Sequence, residues 1–330
     1  MLRPDINNFI FRNLHPKIRV GTASDRYAGW IGQIYTPGRY EVTVRNHKIG
    51  NNSFKEEILP VESVVEYFDH FSILEVDFTF YRPLLNRRLE PTSSYTVLQT
   101  YNKYLRDRDR LILKVPQVIF AQKLWQGNKQ VENENYLNAE MFINQFYDPA
   151  NAVLGEKLEG FIFEQEYLRK SERVAPKKYV DDLDNFIQSL PKDNRYHIET
   201  RTDYYHTREY FSMLYTHGVG HVLSHWTWLP PLRKQFLKSG KQFYNRGRNC
   251  IIRLLTPLKM KYNDSYEKTF PFDKPVEGFM NPEMIPEAVD IIKEGSKNGV
   301  CMNVILNNRC CGNAPILAKE LSGNLGIPFL

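Results

Sequence analysis

The sequence predicts an α/β protein built as a single (β/α)8 barrel. Three observations lead there. Eight short apolar runs read as strands and alternate with segments whose apolar residues recur at spacings of three and four. No shift of composition divides the 330 residues, and one barrel with insertions fits that length. Several of the runs end in charged or amide side chains, as barrel strands do when their C-terminal ends carry a site. No glycine-rich dinucleotide fingerprint follows a strand and no P-loop is present, which argues against a doubly wound nucleotide-binding sheet.

Residues 1–17 read as an N-terminal extension packed on the outside. The first strand is Ile18–Ser24, which ends in small residues that permit close approach of a ligand or a neighbouring backbone. Residues 37–54 are rich in Gly, Asn and charge, and Arg39–Arg45 alternates. This part reads as an inserted hairpin or lid. Val61, Val64, Val65, Phe68 and Phe71 stripe the first helix.

The second strand opens the stretch Phe71–Pro83, where Glu75, Asp77 and Thr79 fall on one face at period two. A helical region over 89–105 leads to the third strand, Leu111–Pro116, and another over 137–147 to the fourth, Leu158–Phe163, which ends in Glu164-Gln165-Glu166. Pro176–Leu190 is helical. The fifth strand, Tyr196–Glu199, precedes Thr200 and Arg201, and the helix after it stops at Gly218. The sixth strand, Gly220–Ser224, is followed by His225 and Trp226, then a short helix over 232–238. The seventh strand, Asn249–Leu255, leads into a long aromatic loop over 256–283. A helix over 286–297, the eighth strand Val300–Leu306, Asn307-Asn308 and a last helix over 316–321 close the chain.

Hydrophobic residues make up 42% and charged ones 25%, an ordinary soluble globular balance. The net charge of +6 is mild for this length. It favours an anionic ligand but falls short of the clustered basic face of a dedicated nucleic-acid binder. Cys250, Cys301, Cys310 and Cys311 include no CxxC pair, so a thiolate zinc site is not expected, and reduced thiols in a cytoplasmic protein are the default reading. The N-terminus lacks the apolar stretch of a signal peptide. No run reaches the roughly 20 apolar residues a membrane span needs.

Several phrases, taken together and in order, resemble the DUF72 family, also called YecE-like proteins. They are Val20–Ser24 with Tyr27 and Trp30, Tyr35–Pro37, Leu74–Pro83, Leu113–Gln117, His197–Arg201, Val222–Trp226, Ile252-Arg253, and Asn307-Asn308 with Gly312–Pro315. They cover about residues 18 to 321. The resemblance implies a TIM-type barrel and no settled activity. The chain departs from the family pattern at the end of the fourth strand. The family carries Phe-Gln before a hydrophobic residue and two prolines, and this chain has Phe163-Glu-Gln-Glu-Tyr167. It departs again around Asp77-Phe78 and in the extra segment 37–54.

The candidate catalytic groups are Glu75, Asp77, Lys114 and Glu199. Two carboxylates on one face divide acid and base roles when their pKa values are driven apart. Lys114 offers three readings: an ion pair with Glu75, a hold on an anion, or a Schiff base. Arg201 and Arg253 suit a carboxylate or phosphate. Tyr81 and Trp226 suit the walls of a pocket. Thr22, Arg82, Gln117, His225, Asn307 and Asn308 complete the candidate binding set, with Asn307 and Asn308 equally suited to capping the turn after the last strand.

No cofactor is expected. A divalent metal would have to use Glu75, Asp77, Glu199 and His225, but His15, His47, His70, His206 and His217 read as peripheral and leave few histidines for such a site. The expected activity is acid/base chemistry on a small polar, anionic or sugar-like molecule at the barrel mouth. Nucleic-acid binding or processing and a non-catalytic ligand-binding barrel are the alternatives.

Overall fold

A computed structural model describes residues 6–326 apart from Asn51 and Asn128. Residues 1–5 of the expected N-terminal extension lie outside the described residues. The eight strands are β1 (Ile18–Ala23), β2 (Ile73–Val76), β3 (Arg110–Lys114), β4 (Leu158–Glu164), β5 (Tyr196–Glu199), β6 (Gly220–His221 continued by Leu223–His225), β7 (Asn249–Leu254) and β8 (Cys301–Leu306).

All pair in parallel, and β6 closes the cylinder by dividing its pairing. Gly220 and His221 pair with β5, whereas Leu223 to His225 pair with β7. The switch falls at Val222, whose amide still donates to the carbonyl of Ile198 at 3.0 Å. At the seam where β1 meets β2, Gly21 stands opposite Ile73. A Cβ there would lie 1.8 Å from the Ile73 carbonyl oxygen, so only glycine fits.

The alternation of side chains sorts two cores. Ala23, Ile73, Ile112, Ile162, Val222, Ile251 and Ile305 fill the inside of the barrel. Their neighbours along the chain, such as Leu74, Leu113, Phe161, Ile252 and Val304, pack outward onto the helices. Eight helical segments form that outer layer: α1 (Val64–His70), α2 (Ser93–Tyr104), α3 (Ala139–Leu154, α-helical at both ends with a π-helical turn over Ile143–Tyr147), α4 (Pro176–Gln188), α5 (Arg208–His217), α6 (Leu232–Lys238), α7 (Met284–Lys297) and α8 (Ala314–Leu325). On α4, Val180, Leu183 and Phe186 form a buried stripe. Helix α5 stops at Gly218, which takes the left-handed conformation at φ 70°.

Two elements differ from the sequence reading. A hairpin of Lys123–Gln126 with Lys129–Glu132 follows β3, and the loop after β7 contains a helix, Tyr262–Thr269. Their charged, aromatic-poor or mixed faces give weak periodicity. His70 and His206, read as peripheral, are buried, and His206 Nε2 lies 2.5 Å from the Thr200 hydroxyl.

The inserted segment is a hairpin, displaced toward the C-terminus: Thr43–Ile49 pairs with Asn52–Ile58. It is anchored to the barrel rim. Ile49 packs with Tyr266 and Phe272, Tyr27 bridges Ile58, and the Leu59 amide donates to the Arg26 carbonyl at 3.1 Å. Among the described residues no helix is long and apolar enough to cross a membrane.

Candidate functional site

Inward-pointing residues near the C-terminal ends of the strands are charged where those below them are apolar. On β2, Glu75 follows Ile73 by two residues. On β3 Lys114 follows Ile112, on β4 Glu164 follows Ile162, and on β7 Arg253 follows Ile251. Each shares the inward face of the residue two before it. Glu199 and Ser224 add to the same layer from β5 and β6.

Arg253, 2% exposed, is the hub. Its Nη2 donates to Glu75 Oε1 at 2.6 Å, and its Nη1 donates to Glu164 Oε2 at 2.8 Å and to Glu199 Oε2. Glu164 is a second hub, taking Lys114 Nζ at 2.9 Å and Arg201 Nη2 at 2.7 Å. Arg201 Nε lies 3.1 Å from Glu199 Oε1, which also accepts from the Ser224 hydroxyl at 2.6 Å. The Arg201 guanidinium stacks 4.5 Å from the Trp226 ring, and Lys114 Nζ lies 4.0 Å from that of Phe80.

The electrostatics follow from this wiring. Burial raises the Glu164 pKa, but Arg201, Lys114 and Arg253 outweigh it and hold the carboxyl well below its ordinary range. Glu75 has the opposite balance. Burial pushes it up to about 7 with help from Asp77, Arg253 only partly offsets this, and its Oε2 has no hydrogen-bond partner. A group poised near neutrality inside a charged cluster is the kind of carboxyl that exchanges a proton under working conditions.

Asp77 connects this cluster to open space. Strand β2 ends at Val76, and Asp77 starts a 3-10 turn over Phe78–Phe80. The period-two face expected through Thr79 therefore breaks. Thr79 is buried, its hydroxyl donating to the Lys114 carbonyl at 2.8 Å. The Asp77 side chain is 34% exposed and 3.6 Å from Lys114 Nζ. It lines a cavity of about 690 Å³ at the barrel mouth, walled on its outer side by the inserted hairpin. Tyr81, 73% exposed, lines the same cavity.

The structure thus brings together Glu75, Asp77, Lys114, Glu199, Arg201, Arg253 and Trp226, with Tyr81 nearby. It places the other candidates elsewhere. Thr22 faces the helices because it alternates with inward Gly21 and Ala23. Its hydroxyl donates to the Ser24 carbonyl at 2.6 Å and lies 3.0 Å from the Tyr67 hydroxyl. Arg82 points outward and donates to the Ser93 hydroxyl at 3.3 Å. His225 is one residue out of phase with inward Ser224. Its Nδ1 meets the Thr256 carbonyl at 2.9 Å, and burial lowers its pKa to about 4.

Asn307 and Asn308 take the capping role left open by their sequence. Asn307 Oδ1 accepts from the Arg309 amide at 3.0 Å. Asn308 Oδ1 accepts from Trp30 Nε1 at 3.1 Å and from the Ala314 amide at 2.8 Å. Gln117 begins a short turn, Gln117–Phe120, and is half-buried with no side-chain hydrogen bond to described residues. Among the described residues no three His, Cys, Asp or Glu side chains are grouped to hold a metal ion.

Two acids escaped the sequence reading. Glu164 had a usable signal, since it shares the inward phase of Ile162. Asp25 had none, because it follows β1 in a loop whose course only the fold sets. It is 1% exposed, lines the cavity, accepts from the Tyr101 hydroxyl at 2.7 Å through Oδ1, and leaves Oδ2 without a partner. Burial raises it to about 6, against the opposing charge of Arg26.

A family model described as a protein of unknown function, DUF72, matches residues 19–329. The chain belongs to the DUF72 family. Two DUF72 crystal structures share its fold. The Enterococcus faecalis protein is 16% identical, with 94% of this chain and 96% of that one aligned at a TM-score of 0.58. The Thermotoga maritima protein is also 16% identical, with 94% and 99% aligned at 0.55. No curated protein matches the chain. At this identity the likeness extends to the barrel of this DUF72 chain and leaves its chemistry to its own residues.

Proposed function

We propose that this DUF72 barrel is an enzyme that moves protons on a small polar, anionic or sugar-like substrate held in the mouth cavity. The observation that supports this reading most directly is the position of Asp77. It is the one acid of the charged cluster that also lines the cavity, while Lys114 ties it back to Glu164 and the buried network. Asp77 is the group that meets substrate. Glu75 lies behind it, fully buried, with a pKa of about 7 and a free Oε2, and acts as a positioning residue that tunes the charge felt by Asp77.

Lys114, Arg201 and Arg253 do not hold the substrate in this scheme, because internal carboxylates already engage all three. They fix the acids instead. Their burial suits preorganisation, since charges held in a dry, packed layer do not reorient when a substrate charge develops.

The test is a turnover screen of sugar acids, sugar phosphates and related hydroxy acids by NMR with the full chain. Asp77→Asn is expected to lower kcat at least 100-fold for any substrate found. Glu75→Gln is expected to shift the pH profile of kcat/KM while retaining measurable activity. A substrate turned over equally well by native protein and Asp77→Asn would sink the reading. Binding of single-stranded oligonucleotides that falls steeply between low and moderate salt would favour nucleic acid as the ligand instead.

A further inference from the structure

The mouth cavity is asymmetric from floor to rim, and the asymmetry specifies a ligand. At the floor stands Asp25, almost fully buried, with Oδ1 taken by Tyr101 and Oδ2 unpartnered. Asp77 lies beside the same space. Both offer oxygens that accept hydrogen bonds. The rings around them are Tyr27 against Phe272, with centroids 5.4 Å apart, and Phe78 stacked on Tyr101 at 5.9 Å. Aromatic faces and acceptor oxygens suit a chain of carbons bearing hydroxyls, whose O–H groups donate while its C–H faces cover the rings.

The rim is different. Half-buried Arg26 and exposed Arg45 line it, and neither side chain makes a hydrogen bond or ion pair with a described residue. The reason is visible for Arg45. Its cross-strand partner in the hairpin is Glu56, whose Oε1 turns instead to His47 Nδ1 at 2.6 Å and to the Tyr266 hydroxyl. Lys55, Glu57 and Asp273 also stand at the rim, exposed to solvent as Arg45 is. A guanidinium without a carboxylate partner beside a cavity is suited to a two-pronged grip on an anionic group.

From these two ends we infer that the cavity takes a sugar phosphate, its hydroxylated end down against Asp25 and Asp77 and its phosphate held at the rim by Arg26 and Arg45. The inserted hairpin is therefore part of the binding wall and supplies one of the two phosphate contacts. The inference rests on the proposed function and adds to it the substrate class, its orientation and a role for the insertion. It concerns binding only, so no bond is made or broken in it.

The test is calorimetric titration of the full chain with ribose 5-phosphate, glucose 6-phosphate, their unphosphorylated parents and inorganic phosphate. At least one sugar phosphate is expected to bind about tenfold or more tightly than both its parent sugar and inorganic phosphate. Arg26→Ala and Arg45→Ala are each expected to weaken it about tenfold, and Arg45→Lys to restore part of the loss. Asp25→Asn is expected to weaken the sugar phosphate while leaving inorganic phosphate unchanged. Cooperative thermal unfolding of each variant, at the native midpoint for the arginine variants and above it for Asp25→Asn, shows that it is folded.

No binding by either sugar phosphate, equal binding of sugar and sugar phosphate, or unchanged affinity in both arginine variants overturns the inference. Its fate is separable from that of the proposed function. A sugar phosphate bound with these losses but never turned over defeats the proton-transfer reading alone. Turnover of another substrate with native KM in Arg26→Ala and Arg45→Ala defeats the inference alone.

Discussion

The barrel mouth holds two charged regions side by side, and they are built on opposite terms. Around Arg253 the carboxylates of Glu75, Glu164 and Glu199 converge on one guanidinium, with Lys114 and Arg201 closing the ring. Cations and anions meet, the layer is buried, and Glu75 Oε2 is its loose end. One strand away, the cavity of about 690 Å³ under the hairpin is lined by Asp25, Arg26 and Arg45, none of which makes an ion pair with a described residue. The first arrangement stabilises a shape. The second leaves charged groups unpaired beside open volume. The proposed function takes unpaired charge next to empty volume, rather than charge density alone, as the mark of the site.

The sharpest way to break this contrast is to remove the hub. Arg253→Met leaves three buried carboxylates around a missing cation and is expected to cost about 3–5 kcal/mol in urea unfolding. A neutral effect would mean that the ring relaxes or takes up water and that the layer is not structural.

A smaller effect tests the cavity floor. Asp25 has a folded-state pKa of about 6 against 3.8 in the unfolded chain. Between those values the folded form binds more protons, so stability is present at low pH and is lost as pH rises to about 6. Asp25→Asn removes that loss. Its gain over native protein is expected to grow from pH 5 to pH 7 and level off at about 3 kcal/mol. A gain independent of pH would show that the carboxyl is not held in this state.

The smallest effect is expected where the charges are free. Arg45→Ala should change stability by no more than about 0.5 kcal/mol, because its exposed side chain has no hydrogen bond or ion pair with a described residue to lose, and Arg26→Ala by somewhat more, because the Arg26 charge also offsets the burial of Asp25. A loss near that of Arg253→Met would move these residues from the open region to the closed one.

Much of the fold was legible in the chain. Period-two apolar runs such as Leu111–Leu113 and Leu158–Phe163 specify strands because one face must meet the barrel interior and the other the helices. Helical stripes and Gly218 located the helices between them, with ends misplaced by up to seven residues where the helix expected over 137–147 runs on to Leu154. The hairpin after β3 and the helix over Tyr262–Thr269 escaped because loop elements on a rim bury little, and hydrophobic period carries little signal there.

The charged layer was partly legible for the same reason as the strands. Glu75, Lys114 and Arg253 each sit two residues beyond an inward isoleucine, so phase alone puts them inside the barrel. Glu164 obeys the same rule, and it gives Lys114 and Arg201 a shared anion.

What the sequence by itself determined about this DUF72 protein is thus the order and phase of its strands, and through phase the membership of its inner charged layer. Tertiary structure alone decided which charges are engaged and which are free. Pairing depends on distances between residues far apart in the chain, such as Glu75 and Arg253 at 2.6 Å across the barrel, or Asp25 and Tyr101 at 2.7 Å. It also depends on where strands stop. Because β2 ends at Val76, Asp77 turns out of the buried face and into the cavity, and that change of direction separates the acid that meets solvent from the acid beneath it.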